Sequence, residues 1–297
     1  MTIACPAKIN LTLEVLERRD DGYHALRSVM VPLELADTLH IEPAEHFSLA
    51  CSDPGLASAD NLAARAARAV DPQAAVKIEL KKTIPSQAGL GGGSSDAAGV
   101  LRAAMAGKFG RRYNADWLAL ARSLGSDVPF FLAESGALVE GTGERVTAVG
   151  ALPSWYVLIV KPMSSVSTAA AYALLDHQAQ RSRPRSTSVS LRAVEALQRG
   201  DFEAVTNVLS NDFHDVIAAS IPQVARAADA LERAGATKAM LAGSGSAVFA
   251  LERDAAAIAA IAGRLDLDSS FQRFETALAR SQTWRGSIAP RQAQGKL

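Results

Sequence analysis

The chain has 297 residues, enough for about two domains, and its 48% hydrophobic and 21% charged side chains exclude a disordered protein. Its 31 basic and 31 acidic residues cancel, so no broad field gathers nucleic acid or anionic lipid, and any anion site has to be built locally. Cys5 and Cys51 lack metal-ligand or dithiol spacing, and neither a basic-then-apolar leader nor a membrane-length apolar run is present, so free thiols, a reducing compartment and a cytoplasmic location are expected.

In chain order, Ile9, Leu11, Leu13 and Val15 alternate with Lys8, Asn10, Thr12 and Glu14. This is the period of a strand with one buried face, and it puts Lys8 and Asn10 together on the face away from the core. Asp20-Asp21-Gly22 supplies a turn, Val29, Val31, Leu33 and Leu35 mark a second strand, and Leu39 and Ile41 mark a further short one. Residues 61–70 read as an alanine-rich helix. Val76, Ile78 and Leu80 form a strand that delivers the chain into Pro85-Ser86-Gln87-Ala88-Gly89-Leu90-Gly91-Gly92-Gly93-Ser94-Ser95-Asp96, after which Val100, Leu101, Ala104 and Met105 carry a helical period.

Residues 115–124 look helical and stop at Gly125. Val157-Leu158-Ile159-Val160 reads as a buried strand opening the second half. Residues 180–190 are polar, and Arg181, Arg183 and Arg185 within them read as a solvated loop. Helices are expected around 191–199, 202–209 and 223–234, and Gly243-Ser244-Gly245-Ser246 precedes an apolar strand at 247–251. There is no internal repeat, and the mixed order of strands and helices predicts α+β rather than a doubly wound parallel sheet.

The glycines among residues 89–93 let the backbone take positive φ and approach a ligand with no Cβ in the way. Ser94, Ser95 or Asp96 is placed to cap the following helix, whose N-terminal amides favour a bound phosphate. The loop lacks the Gly-Lys-Ser/Thr ending of a Walker A loop, and Ser94 stands where a dinucleotide fingerprint needs its third glycine. Taken alone, it fits either a triphosphate cradle or a tightly packed turn.

Residues 85–95 resemble the second motif of the GHMP kinases, named for galactokinase, homoserine kinase, mevalonate kinase and phosphomevalonate kinase. Pro6-Ala7-Lys8-Ile9-Asn10-Leu11, Gly125-Ser126-Asp127-Val128-Pro129 and Leu241-Ala242-Gly243-Ser244-Gly245-Ser246-Ala247 are similar to further family motifs, in family order. Within the family, Arg19-Asp20-Asp21-Gly22-Tyr23-His24, Leu26-Arg27-Ser28 and Asp37-Thr38-Leu39 resemble the branch that acts on a cytidine-diphosphate-linked polyol.

The resemblance implies an α+β fold of two domains. The first, residues 1–153, would be like domain 2 of ribosomal protein S5, and the second, residues 154–284, ferredoxin-like, with 285–297 a flexible tail. It implies ATP-dependent phosphorylation of an alcohol on a small-molecule cytidylylated polyol, with no nucleic-acid or membrane partner. Asp127 corresponds to the base that takes the hydroxyl proton, and Lys8 to the cation that neutralises the developing phosphate charge. Pro85, Ser86, Gln87, Ala88, Gly89, Leu90, Gly91, Gly92, Gly93, Ser94 and Ser95 would hold ATP, with Asn61 and Lys82 as adenosine or phosphate contacts. Mg²⁺ would bridge the phosphates without an identified protein ligand. Tyr23 and Tyr172 are expected on the two faces of the cytosine and His24 at its polar edge. Asn10 and Thr168 are expected near the polyol or diphosphate, and Gly243 and Ser244 at the closing side of the site. The alternatives are a GHMP kinase for homoserine, mevalonate or a sugar, and a non-catalytic nucleotide-binding protein on the same fold.

Overall fold

The first alternating segment forms a single strand, β1 (Thr2–Arg18), in the computed structural model, which describes residues 1–279 apart from 21, 111–115, 134 and 180–187. Asp21, Ala115, the arginines 181, 183 and 185 and the 285–297 tail lie outside the described residues. β1 pairs antiparallel with β2 (His24–Pro43), which joins the two strands expected at 29–35 and 39–41 into one. The two runs keep one odd-numbered phase yet face different cores, because the register steps from Pro6 opposite Ala36 to Lys8 opposite Pro32, a bulge that absorbs extra residues without a turn.

Next come β3 (Ser48–Cys51), α1 (Leu62–Val70), β4 (Val76–Lys81), α2 (Gly92–Met105), α3 (Trp117–Leu124), α4 (Val128–Leu132), β5 (Ala137–Gly141) and β6 (Arg145–Ala148). The second half holds β7 (Tyr156–Pro162), α5 (Thr168–Ala179), α6 (Val189–Arg199), α7 (Phe202–Val208), β8 (Ser210–Asn211), α8 (His214–Ser220), α9 (Pro222–Arg233), β9 (Ala239–Leu241), β10 (Val248–Glu252), α10 (Ala255–Arg264) and β11 (Phe271–Ala277). The first sheet runs β3-β4-β2-β1-β8, with β5 on β2 and β6 on β5. The second is antiparallel in the order β11-β7-β10-β9, the ferredoxin-like arrangement.

Helices α1 and α2 cover one face of the first sheet, with Leu39, Ile41, Ile78, Ala97, Leu101 and Phe130 in that core. The other face shares a core with the second sheet: Ile9, Leu11, Val31 and Leu33 pack with Val157, Ile159, Phe249 and Leu251. β1 is therefore covered on both sides. Lys8, Asn10 and Thr12 are buried, contrary to the expectation of an open face, because helices and glycine loops close over the side the alternation marks as polar. The chain also crosses back between the sheets. β8 lies parallel to β1, with Thr12 opposite Ser210, and Leu33 bridges to Leu278.

A buried carboxylate ties α6 to β1. Glu14 accepts hydrogen bonds from the Ser188 hydroxyl at 2.6 Å, the Ser190 amide at 3.1 Å and the Val189 amide at 3.3 Å, so it satisfies donors at the start of α6. Burial opposes its ionisation, but the hydrogen bonds from Ser188, Ser190 and Val189 outweigh it and hold the carboxyl below its ordinary range. A depressed folded pKa contributes stability that is complete above the unfolded value of about 4.3 and lost as pH falls through the folded one. Glu14→Gln should accordingly lower the urea midpoint at neutral pH and flatten its decline on the acid side, measured as midpoint against pH. An acid limb identical to that of the unchanged protein would contradict this role.

Candidate active site

Lys8 stands where three motifs meet. Its backbone amide donates to the Leu90 carbonyl at 2.9 Å, which fixes β1 against the glycine loop. Its ammonium donates to Asn10 Oδ1 at 2.8 Å and lies 3.6 Å from Asp127 Oδ2. Asn10 is oriented in turn, with Nδ2 donating to Ser28 Oγ at 2.7 Å and Ser28 donating to the Thr12 carbonyl at 2.6 Å. The structure thus makes Asn10 the holder of the lysine head and Ser28, from the Leu26-Arg27-Ser28 segment, the next link, a role no local pattern had assigned it.

Asp127 precedes α4 at the N-cap position, yet its carboxylate makes no capping bond. Its side chain is 27% exposed while that of Lys8 is 4% exposed, so the carboxylate is the part of the pair that incoming molecules reach. This geometry suits a proton acceptor beside a fixed cation.

The glycine loop divides into anchors and cradle. Ala88 and Leu90 are buried in the core between the sheets, whereas Ser86, Gln87 and Gly93 are exposed and Pro85 and Ser94 are half-buried. Gln87 takes a positive φ of 52°, and the path continues along the second glycine cluster, with the Ala247 amide donating to the Ala88 carbonyl at 3.1 Å and the Ser246 amide to the Gln87 carbonyl at 3.4 Å. A Cβ on Gly89 would overlap the Ala242 carbonyl oxygen, so the two loops touch only because residue 89 has none. Gly91 sits at φ 73° as the N-cap of α2, with Lys8 and Phe131 against the position of a Cβ. The expected cap from Ser94, Ser95 or Asp96 is not formed. These residues lie inside the helix because it starts at Gly92, and no side chain caps its first amides. An uncapped helix start flanked by glycine is a ready anion site.

Lys82 is placed differently from an open phosphate contact. Its ammonium is bound by Asp37 and, at 2.7 Å, by Asp96, and its side chain is 10% exposed. Asp37 also accepts from the Thr83 amide at 2.5 Å and the Ile84 amide at 2.9 Å, which fixes the approach to the loop. Burial opposes the Lys82 charge, but the two carboxylates outweigh it and raise its pKa. Burial pushes Asp96 up, to about 7, with Lys82 pulling against it and Asp37 adding to it. Asn61, the other expected nucleotide contact, caps α1 by accepting from the Ala63 amide at 2.9 Å and donates to the Leu56 carbonyl at 2.9 Å. Asp37 and Asp96 escaped sequence reasoning as site residues because a lone aspartate carries no sign of which lysine it will meet.

At the acceptor end, Thr168 Oγ1 and Ser244 Oγ are 3.2 Å apart, and Gly243 lies beside the Lys8 ammonium. The expected pair of tyrosine faces is not assembled. Tyr23 is 69% exposed, while Tyr172 stacks on His24 with centroids 5.2 Å apart and planes at 11°, and meets Phe213 edge-on at 4.9 Å. The cause lies one turn further along α5, where Asp176 Oδ1 holds His24 Nε2 at 3.0 Å and so keeps the imidazole over the phenol. Burial, with Asp127 and Asp176 nearby, pushes the Tyr172 hydroxyl up to about 12. Among the described residues no group of three or more His, Cys, Asp or Glu side chains is arranged to hold a metal ion, and no helix is long and apolar enough to cross a membrane.

Known proteins resemble this chain along most of its length. The GHMP kinases N terminal domain matches residues 61–135 and the GHMP kinases C terminal domain matches 193–266. A 4-diphosphocytidyl-2-C-methyl-D-erythritol kinase from Symbiobacterium thermophilum is 42% identical over 261 residues, covering 86% of this chain and 91% of the relative. A crystal structure of 4-(cytidine 5'-diphospho)-2C-methyl-D-erythritol kinase superposes with a TM-score of 0.76 at 34% identity, covering 94% of this chain and 99% of its own. Homoserine kinase from Cytophaga hutchinsonii, at 16% identity and a TM-score of 0.64 over 93% of this chain and 94% of its own, shares the fold.

The Lys82 cluster yields a discriminating expectation. Lys82→Met leaves two buried carboxylates without their cation and should destabilise the chain by roughly 3–5 kcal/mol, read by chemical denaturation. A variant of unchanged stability with weakened ATP binding would show instead that Lys82 faces the nucleotide.

Proposed function

Because the chain belongs to the 4-diphosphocytidyl-2-C-methyl-D-erythritol kinase family of the GHMP kinases, we propose that it transfers the terminal phosphoryl group of ATP to the 2-hydroxyl of 4-diphosphocytidyl-2-C-methyl-D-erythritol. The products are the 2-phosphate and ADP, in non-mevalonate isoprenoid precursor biosynthesis. The observation that carries the reading is the Lys8–Asp127 pair, set at the junction of the uncapped start of α2 and the Thr168–Ser244 contact.

In this reading the phosphates of ATP lie along residues 89–95 and take hydrogen bonds from the first amides of α2. Asp127 receives the proton of the attacking hydroxyl as the new O–P bond forms, and ADP departs with the electron pair of the broken bond. Lys8, held by Asn10, offsets the charge that gathers on the transferring group. Magnesium fits as an ion carried on the nucleotide's phosphates, since it retains most of its waters and needs few protein ligands, and it would neutralise phosphate charge there. Residues 1–153 supply the nucleotide loop, and residues 154–284 supply Thr168, Tyr172 and the second glycine loop. The cytosine would take the face of Tyr172 now covered by His24, with Tyr23 swinging in from the surface. The two free cysteines suit a cytoplasmic setting.

The test is ATP consumption with four acceptors: the cytidylylated polyol, the free polyol, homoserine and mevalonate. The cytidylylated polyol should be preferred in kcat/KM by roughly 10² or more, given ~1–3 kcal/mol per stacked face. Tyr172→Ala should remove much of that preference. Comparable turnover of any acceptor lacking cytidine would overturn the substrate reading.

A further inference from the structure

Lys161, near the end of β7, is 5% exposed, and burial opposes its charge and lowers its pKa. Among the described residues no carboxylate pairs with it. A buried ammonium without a counter-ion is unfavourable compared with an apolar side chain of similar length, so core packing does not account for a lysine here. Its hydrogen bonds do. It donates to the carbonyls of Pro162, the last residue of β7, and, at 3.0 Å, Ser164, in the turn that leads into α5.

That turn joins three parts of the site. The Ser164 carbonyl also accepts from Ser246 Oγ at 2.5 Å, and the Ser246 amide reaches the Gln87 carbonyl of the first glycine loop. Two residues before Ser246, Ser244 meets Thr168 at the start of α5. The Ser164 hydroxyl is buried without a partner, and before it the Met163 amide donates to the Ser270 carbonyl at 2.9 Å. The lysine thus fixes the carbonyls of this segment from beneath, while Ser246 fixes Ser164 from the side of the loops.

We propose that Lys161 is a positioning residue for acceptor binding, holding the 162–168 turn against the second glycine loop so that Thr168 and Tyr172 stand in register with Lys8 and Asp127. This rests on the acceptor reading given above. Lys161 touches neither reacting atom and acts through the backbone it holds.

The experiment uses the full chain with Lys161→Met, ATP and the cytidylylated polyol, together with equilibrium ATP binding in the absence of acceptor and a thermal melt. Loss of hydrogen bonds from a charged donor should raise the acceptor KM about tenfold or more, with ATP affinity within about twofold of the unchanged protein. The melting temperature should hold or rise, since an isosteric apolar side chain replaces a buried charge. Ser246→Ala removes the other clamp on Ser164. It should raise the acceptor KM in the same sense, and add less in the Lys161→Met background than alone, because both act on one turn. An unchanged acceptor KM, or ATP affinity falling by the same factor, would overturn the proposal; if Lys161→Met fails to fold, Ser246→Ala decides by the same two readouts. Absence of turnover of the cytidylylated polyol by the unchanged protein would strike the acceptor reading and this role with it. Normal turnover with unaltered variants would strike Lys161 alone.

Discussion

A single ammonium buried in the shared strand of the molecule sets the terms for everything around it. Lys8 is 3% exposed, and a charge so placed needs partners fixed in advance. The structure provides Asn10 along the same strand and Asp127 before α4, while the Leu90 carbonyl of the first glycine loop takes the Lys8 backbone amide and Gly243, from the second sheet's side, leaves room beside the ammonium. Because these groups come from both halves of the chain, the fold has to bring its two sheets together before the site exists. The shared core of Ile9, Leu11, Val157 and Phe249 does that with ordinary apolar packing.

The same economy governs the nucleotide side. The proposed phosphate cradle is mostly backbone, so its shape depends on what holds the backbone still. Asp37 receives the amides of Thr83 and Ile84, Lys82 joins Asp37 to Asp96 inside α2, and Ala88 and Leu90 sink into the core. In the proposed reading the glycines of the loop are then left to face the phosphates with their neighbours held. On the acceptor side the arrangement is looser. Tyr23 lies at the surface and His24 occupies one face of Tyr172, so the proposed aromatic contacts with a base would be assembled on binding.

Much of this was legible in the sequence for identifiable reasons. The strand periods of β1, β4 and β7, the glycine loop and the helix after it are local patterns, and they appear where the residues predict them. What escaped prediction depends on distant partners. The polar face of β1 reads as open because alternation reports chemistry and not coverage, and here the covering groups come from loops far along the chain. Lys82 was read toward the nucleotide, whereas the fold engages it with two carboxylates from distant segments; Asn61, read the same way, caps α1 through a local contact. Asp176 and Lys161 gave no signal, since an aspartate on a helix face and a lysine in an apolar strand acquire meaning only from His24 and from the carbonyls of Pro162 and Ser164.

The central claim is that Lys8 and Asp127 act as one unit on the transferring group. A double-mutant cycle on kcat, with Lys8→Met, Asp127→Asn and the combined variant under saturating ATP and cytidylylated polyol, tests it most directly. Each single change should lower kcat by roughly 10² to 10⁴, and the combined variant should be within about tenfold of the slower single one, as expected for residues working together. Losses that multiply in the combined variant, or near-normal turnover by Asp127→Asn, would contradict the account.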